Sequence, residues 1–230
     1  LVATVRALKY HGDIPVSDLL APNAEAVHEG LPNLEKHIEN MYKFNIRQVV
    51  AINRFHTDTQ EELEVIVNRC HQLGVKVAIV DAWAKGGEGT QELAHLVAEV
   101  AEASATGFKP LYDWNWTIEK KIETIAHEIY GASAIDYTPQ AKKDLKTIET
   151  LGLTRLPVCM AKTQKSLSDN PTLLGRPKNF VVTVREIEIA AGAGFVVPIT
   201  GEIMRMPGLP SIPAAEGMDI DADGTILGLF

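Results

Sequence analysis

A chain of 230 residues with 22 Lys and Arg against 30 Asp and Glu, and a formal net charge of −8, is long enough to bury a sizeable core and excludes a protein that tracks a nucleic-acid backbone with a basic face. Its 46% hydrophobic and 23% charged composition fits an ordinary globular protein, and no apolar run approaches the roughly 20 residues needed to cross a bilayer. Two cysteines, Cys70 and Cys159, are too few for a disulfide framework or a zinc site, so a reducing, cytoplasmic setting is expected.

Leu1-Val2-Ala3-Thr4-Val5 reads as a strand within an extended stretch over residues 1–8. A chain end usually frays unless it is tied down, so an opening in mid-strand is expected of a piece of a longer protein. His11-Gly12-Asp13 and a Pro-containing loop to Gly30 follow, and Asn33 is placed to cap a helix with Leu34, Ile38, Met41 and Tyr42 on one face. Residues 48–52 form a short apolar run, the pattern of a buried parallel strand. Thr59 and Glu62 make a T-x-x-E capping box for a helix with Leu63, Ile66, Val67 and Cys70 inward, which Gly74 is placed to end. A second buried strand covers 75–80, and Thr90 opens a helix with Leu93, Leu96, Val97 and Val100 inward. Alternating strands and helices at this spacing predict an α/β fold with a parallel sheet.

Small residues over 101–107, then Phe108-Lys109-Pro110, place a domain boundary after residue 107. Beyond it, Thr117 opens a helix with Ile118, Ile122, Ile125 and Ile129 on one side, closed by Gly131. Thr138-Pro139 opens another, with Pro where its missing N–H does no harm. Short β segments over 157–160, 180–189 and 195–200 follow, and 219–230 reads as a polar turn with an apolar tail. The second half, 108–230, is therefore a smaller α+β domain.

Ligands of an open parallel sheet bind at the carboxyl ends of its strands. Two such ends are visible: Asn53-Arg54-Phe55-His56-Thr57-Asp58-Thr59 and Asp81-Ala82-Trp83-Ala84-Lys85-Gly86-Gly87-Glu88-Gly89. Phe55 and Trp83 are rings that can clamp a flat heteroaromatic ligand, or plugs beneath the next helix. The Asn53 amide donates and accepts at once, which suits a purine edge. Thr57 and Asp58 suit either a site or a capping turn. The glycine cluster is neither G-x-x-x-x-G-K-[ST] nor G-x-G-x-x-G, and favours a sharp strand-to-helix turn. The histidines form no metal pair on one helix face, nothing marks a nucleophile elbow, and a basic stretch (Lys162, Lys165, Arg176, Lys178, Arg185) has the composition of a solvated loop.

Val2-Ala3-Thr4-Val5-Arg6-Ala7-Leu8-Lys9 with His11-Gly12, Asn33-Leu34-Glu35-Lys36-His37-Ile38-Glu39-Asn40, Asn53-x-Phe55-x-Thr57-Asp58-Thr59 and Trp83-Ala84-x-Gly86-Gly87-x-Gly89 together resemble formate–tetrahydrofolate ligase. Pro157-x-Cys159-Met160-Ala161-Lys162-Thr163, Ser166-Leu167-Ser168-x-Asn170-Pro171, Gly192-Ala193-Gly194-Phe195 and Met206-Pro207-Gly208-Leu209-Pro210 continue the resemblance in order along nearly the whole chain. It implies an ATP-dependent enzyme, with Mg²⁺, that joins formate to tetrahydrofolate through formyl phosphate. The products are 10-formyltetrahydrofolate, ADP and phosphate, and family members commonly form homo-oligomers.

The resemblance further implies that residues 1–107 are the C-terminal portion of a P-loop NTPase-type parallel sheet domain. Phe55 and Trp83 then border the folate, and Asn53 and Ala82 the nucleotide. Lys162 and Lys165 are candidate contacts for the folate's glutamate tail. The family's phosphate-binding loop and catalytic groups are expected upstream, so the chain alone is expected to be inactive. Two other readings stay open: a non-catalytic C-terminal assembly module, and a GTPase-like fragment whose N-K-x-D motif would need Lys at Arg54 and Asp at His56.

Overall fold

The structure is a computed structural model that describes residues 1–103, 107–203 and 212–228. The Met206–Pro210 block, residues 104–106 of the boundary stretch and the last two residues of the tail lie outside the described residues. The first sheet takes strands from the amino-terminal half. β1 (Val2–Ala3), β2 (Val49–Asn53) and β3 (Lys76–Val80) lie in the order β1-β2-β3, all parallel, with Ala3 opposite Ile52 and Asn53 opposite Val80.

The extended stretch expected over 1–8 ends early. Thr4 is extended at φ −133°, its hydroxyl accepts the Ala7 N–H at 3.0 Å, and helix α1 (Val5–His11) starts there. A single capping bond turns the chain, and Val5 and Leu8 then meet the core one turn apart. Helix α2 (Ala24–Lys43) also begins earlier than expected, capped by Asn23, which accepts the Ala26 N–H. Asn33 lies inside α2 beside Pro32, buried, and its amide donates to the Gly175 carbonyl at 2.9 Å. Helices α1 and α2 touch backbone to backbone: a Cβ on Gly30 would fall 2.0 Å from the Leu8 oxygen, and one on Gly12 would fall 2.1 Å from that of Ala26. No side chain fits at either glycine.

Helix α3 (Gln60–Gln72) carries the expected capping box, and Leu63, Ile66 and Cys70 pack with Val50, Ile52, Val27 and Leu31 in one core. Burial pushes the Cys70 thiol up to about 11, so it is inert packing. Beneath α3 the Lys9 ammonium and the Glu62 carboxylate form an ion pair at 2.8 Å with both side chains withdrawn from solvent. After β3 come a four-residue helix, α4 (Ala82–Lys85), a 3₁₀ turn (Gly86–Thr90) and α5 (Gln91–Ala103). The inward stripe expected on α5 is only partly covered: Leu93, Leu96 and Val100 are half-buried and Val97 is exposed.

In the second half, Thr117 caps α6 (Ile118–Ile125), which continues as a π turn (Ala126–Tyr130) ended by Gly131 at φ 81°. Ile118 and Ile122 stay buried, while Ile125 and Ile129 line an apolar cavity of about 370 Å³ with Phe44, Phe108 and Trp114. Helix α7 (Pro139–Thr150) starts at Thr138-Pro139 as expected. The second sheet has the order β4-β5-β6, in which β4 (Ala134–Tyr137) runs parallel to β5 (Val181–Ala190) and β6 (Phe195–Thr200) antiparallel to it. The segment expected at 157–160 contributes a single bridge, Val158 to Val196, rather than a strand. Two short strands, β7 (Asp219–Ile220) and β8 (Ile226–Leu227), pair within the tail.

Helix α2 ties the two sheets together. The Lys36 ammonium and the Asn40 amide donate to the carbonyls of Glu128 and Ile129, at 2.7 and 2.9 Å, and Arg176 forms a two-bond ion pair with Glu39. The Gly175 N–H donates to His11 Nδ1. Among the described residues no helix is long and apolar enough to cross a membrane.

Candidate functional site

Because β2 and β3 are hydrogen-bonded parallel neighbours, the loops that follow them leave the same edge side by side, and the Arg54 N–H reaches the Val80 carbonyl at 3.0 Å. The structure thus places Asn53, Phe55, Ala82 and Trp83 on adjoining tips of one sheet edge. Asn53 ends β2, half-buried, and Ala82 opens α4.

The two rings differ in setting. Trp83 is 91% exposed on a one-turn helix, so it is no plug for the core. Phe55 is half-buried, and the guanidinium carbon of Arg6 lies 4.1 Å from its ring centroid. Its loop is fixed by Asp58, which is buried: the Phe55 N–H donates to Asp58 Oδ2 at 2.8 Å, and the Asp58 N–H donates back to the Phe55 carbonyl at 3.0 Å. Asp58 Oδ1 and Arg6 Nε are both buried without a hydrogen-bond partner among the described residues. Buried polar atoms of this kind are uncommon in folded proteins. Two of them flank Phe55.

The glycine run forms a tight turn that closes back on Asp81. Gly86 takes φ 57°, and a Cβ on Gly89 would fall 2.3 Å from the Asp81 oxygen, whose own N–H donates to Gly89. The turn therefore requires glycine at 86 and 89 for its shape, and it sets the base from which the indole projects.

Arg6 carries no signal of its own in the sequence. With residues 1–8 read as extended, it is one strand residue among several; once Thr4 turns the chain, it stands just past β1, on the same edge as the other two tips. A helix cap recognised at Thr4 is the signal that finds it.

The basic stretch is less solvated than its composition suggests. The Lys162 ammonium donates to the carbonyls of Thr163 at 2.7 Å and Ser168 at 3.2 Å, and to that of Ser166, and it lies 5.2 Å from the Tyr130 ring centroid. Burial pushes its pKa down to about 8, with Asp169 opposing. Its donors hold a loop, whereas Lys165 is exposed. Among the described residues no group of three or more His, Cys, Asp or Glu is placed to hold a metal ion. The family model described as formate–tetrahydrofolate ligase matches residues 1–230.

Proposed function

The chain belongs to the formate–tetrahydrofolate ligase family along its whole length, and from that premise we propose that it supplies the folate- and base-binding wall of an ATP-dependent ligase. Residues 1–107 are, on this reading, the C-terminal portion of a P-loop-type sheet domain, and 108–230 are an α+β lobe braced against it through α2. The observation that carries the reading is the adjacency of the Phe55 and Trp83 tips on one parallel-sheet edge. Stacking between them orients the pterin and keeps water from the amine that takes the formyl group. Asn53 and Ala82, at the roots of the same two tips, are the proposed base contacts.

On this reading the phosphates of ATP, and the Mg²⁺ that accompanies them, are held by the P-loop-bearing segment of the family. The sequence contains no G-x-x-x-x-G-K-[ST], the loop that phosphoryl transfer depends on in such enzymes. No step of phosphoryl transfer is therefore assigned to these side chains. In the full reaction, formyl phosphate is made at groups other than these and delivered to a folate that this wall holds.

The purified 230-residue chain is expected to form no 10-formyltetrahydrofolate from formate, ATP and tetrahydrofolate. Addition of the P-loop-bearing segment of a family member should restore product formation. Turnover by the chain alone would show that the catalytic groups lie within it.

For the glutamate tail of folate, Lys165 is the exposed member of the proposed pair. Lys165→Glu is expected to weaken long-tailed folates more than the monoglutamate, with a difference that shrinks at high salt. Lys162→Glu, which strips three carbonyls of their donor, should instead lower the melting temperature. An equal loss for both tail lengths in Lys165→Glu would remove that contact.

A further inference from the structure

Arg6 enters none of the roles above, yet it reaches the same edge from the third strand tip. Its guanidinium covers one face of Phe55 at 4.1 Å, and its Nε is buried without a hydrogen-bond partner among the described residues. Arg6 as a whole is half-buried, and a guanidinium with a buried N–H ordinarily spends it on a carboxylate or carbonyl. This one leaves a donor unmet and lies against a ring. The backbone that carries the ring is fixed as well, since Asp58 holds Phe55 through two hydrogen bonds.

We infer that Arg6 is a positioning residue for folate, its guanidinium backing one face of Phe55 so that the ring offers its other face to the pterin. This rests on the folate reading of the Phe55–Trp83 edge. Two effects follow from elementary electrostatics. A planar cation stacked on a phenyl ring restricts the ring's rotation, so the stacking surface is set before the ligand arrives. It also draws the ring's negative charge towards itself, which makes the opposite face a better partner for an electron-rich reduced pterin. Arg6 acts through Phe55 and not by touching the ligand.

A double-mutant cycle tests this, with tetrahydrofolate affinity read by calorimetry for wild type, R6A, F55A and the R6A/F55A pair, and thermal unfolding run on each. R6A is expected to weaken binding about three- to tenfold. R6K, which keeps the charge but not the plane, should fall between wild type and R6A. In the F55A background the R6A substitution should have no further effect. If R6A unfolds below the assay temperature, R6Q, planar and neutral, replaces it in the cycle. An R6A affinity equal to wild type, or an R6A loss that persists undiminished in F55A, overturns the inference and leaves the folate reading intact. An F55A affinity equal to wild type, or no binding by the wild-type chain, overturns the folate reading itself.

Discussion

Lys9→Met is expected to lower the stability of the chain by about 3–5 kcal/mol, because it leaves a carboxylate buried without its cation. The pair is withdrawn from solvent on both sides, and among the described residues the Lys9 ammonium has one other partner, the Ala21 carbonyl at 3.0 Å. Glu62 does more than pair. Its Oε2 accepts the Thr59 N–H and hydroxyl to complete the capping box of α3, and its Oε1 accepts the Asn23 N–H beside Lys9. One carboxylate therefore joins α1, the start of α2 and the start of α3.

Burial raises the pKa of that carboxyl, but Lys9, Thr59 and Asn23 together outweigh burial and hold it at about 2, below its ordinary value of 4.5. A depressed folded value means that the stabilisation is complete above the ordinary value and is lost as pH falls from about 4.5 towards 2. Urea unfolding at pH 7, repeated down to pH 2.5, checks both points. Lys9→Met should be far less stable at pH 7 and should lose less on acidification than wild type. A change of under 0.5 kcal/mol at pH 7 would mean that the pair carries little of the fold.

Trp83→Ala is expected to do the reverse, sparing the fold and damaging the site. An indole that is 91% exposed on a four-residue helix contributes almost nothing to burial, so stability should stay within about 0.5 kcal/mol of wild type. Loss of a stacking face should cost folate about 1–3 kcal/mol, roughly 5- to 150-fold in Kd. ATP affinity, measured with the P-loop-bearing segment present, should change much less. Calorimetry with each ligand and a melting curve separate the three quantities. An unchanged folate Kd would take Trp83 out of the site.

The central α/β unit is legible in the sequence because its signals are local. The apolar runs of β2 and β3, the Thr59–Glu62 box and Gly74 each act within a few residues, and the structure keeps all of them. Misreadings arise where a distant partner decides. Val5 suits a strand as well as Val2 does, but the hydroxyl of Thr4 and the packing of Leu8 against the distant core start a helix there. Asn23 and Asn33 are equally good caps by residue type, yet Asn33 is claimed by a carbonyl 142 residues away. Strand β4 has a pattern too short to announce itself, and it exists because β5 runs alongside. Lys162 reads as a surface charge until the carbonyls of its own loop are seen to surround it.

At the candidate site the two aromatic tips and their adjacency follow from strand order and are legible. The cation behind Phe55 is not, because its placement depends on where the first strand stops.

The central claim is that the phenyl ring at 55 and the indole at 83 are two walls of one folate site. Intermolecular NOEs between bound tetrahydrofolate and the chain test it most directly, with the indole signals of Trp83 assigned against a Trp83→Phe variant. Pterin contacts to both rings in the same complex are the expected result. Folate bound with contacts to neither ring, or to only one of them, would contradict it.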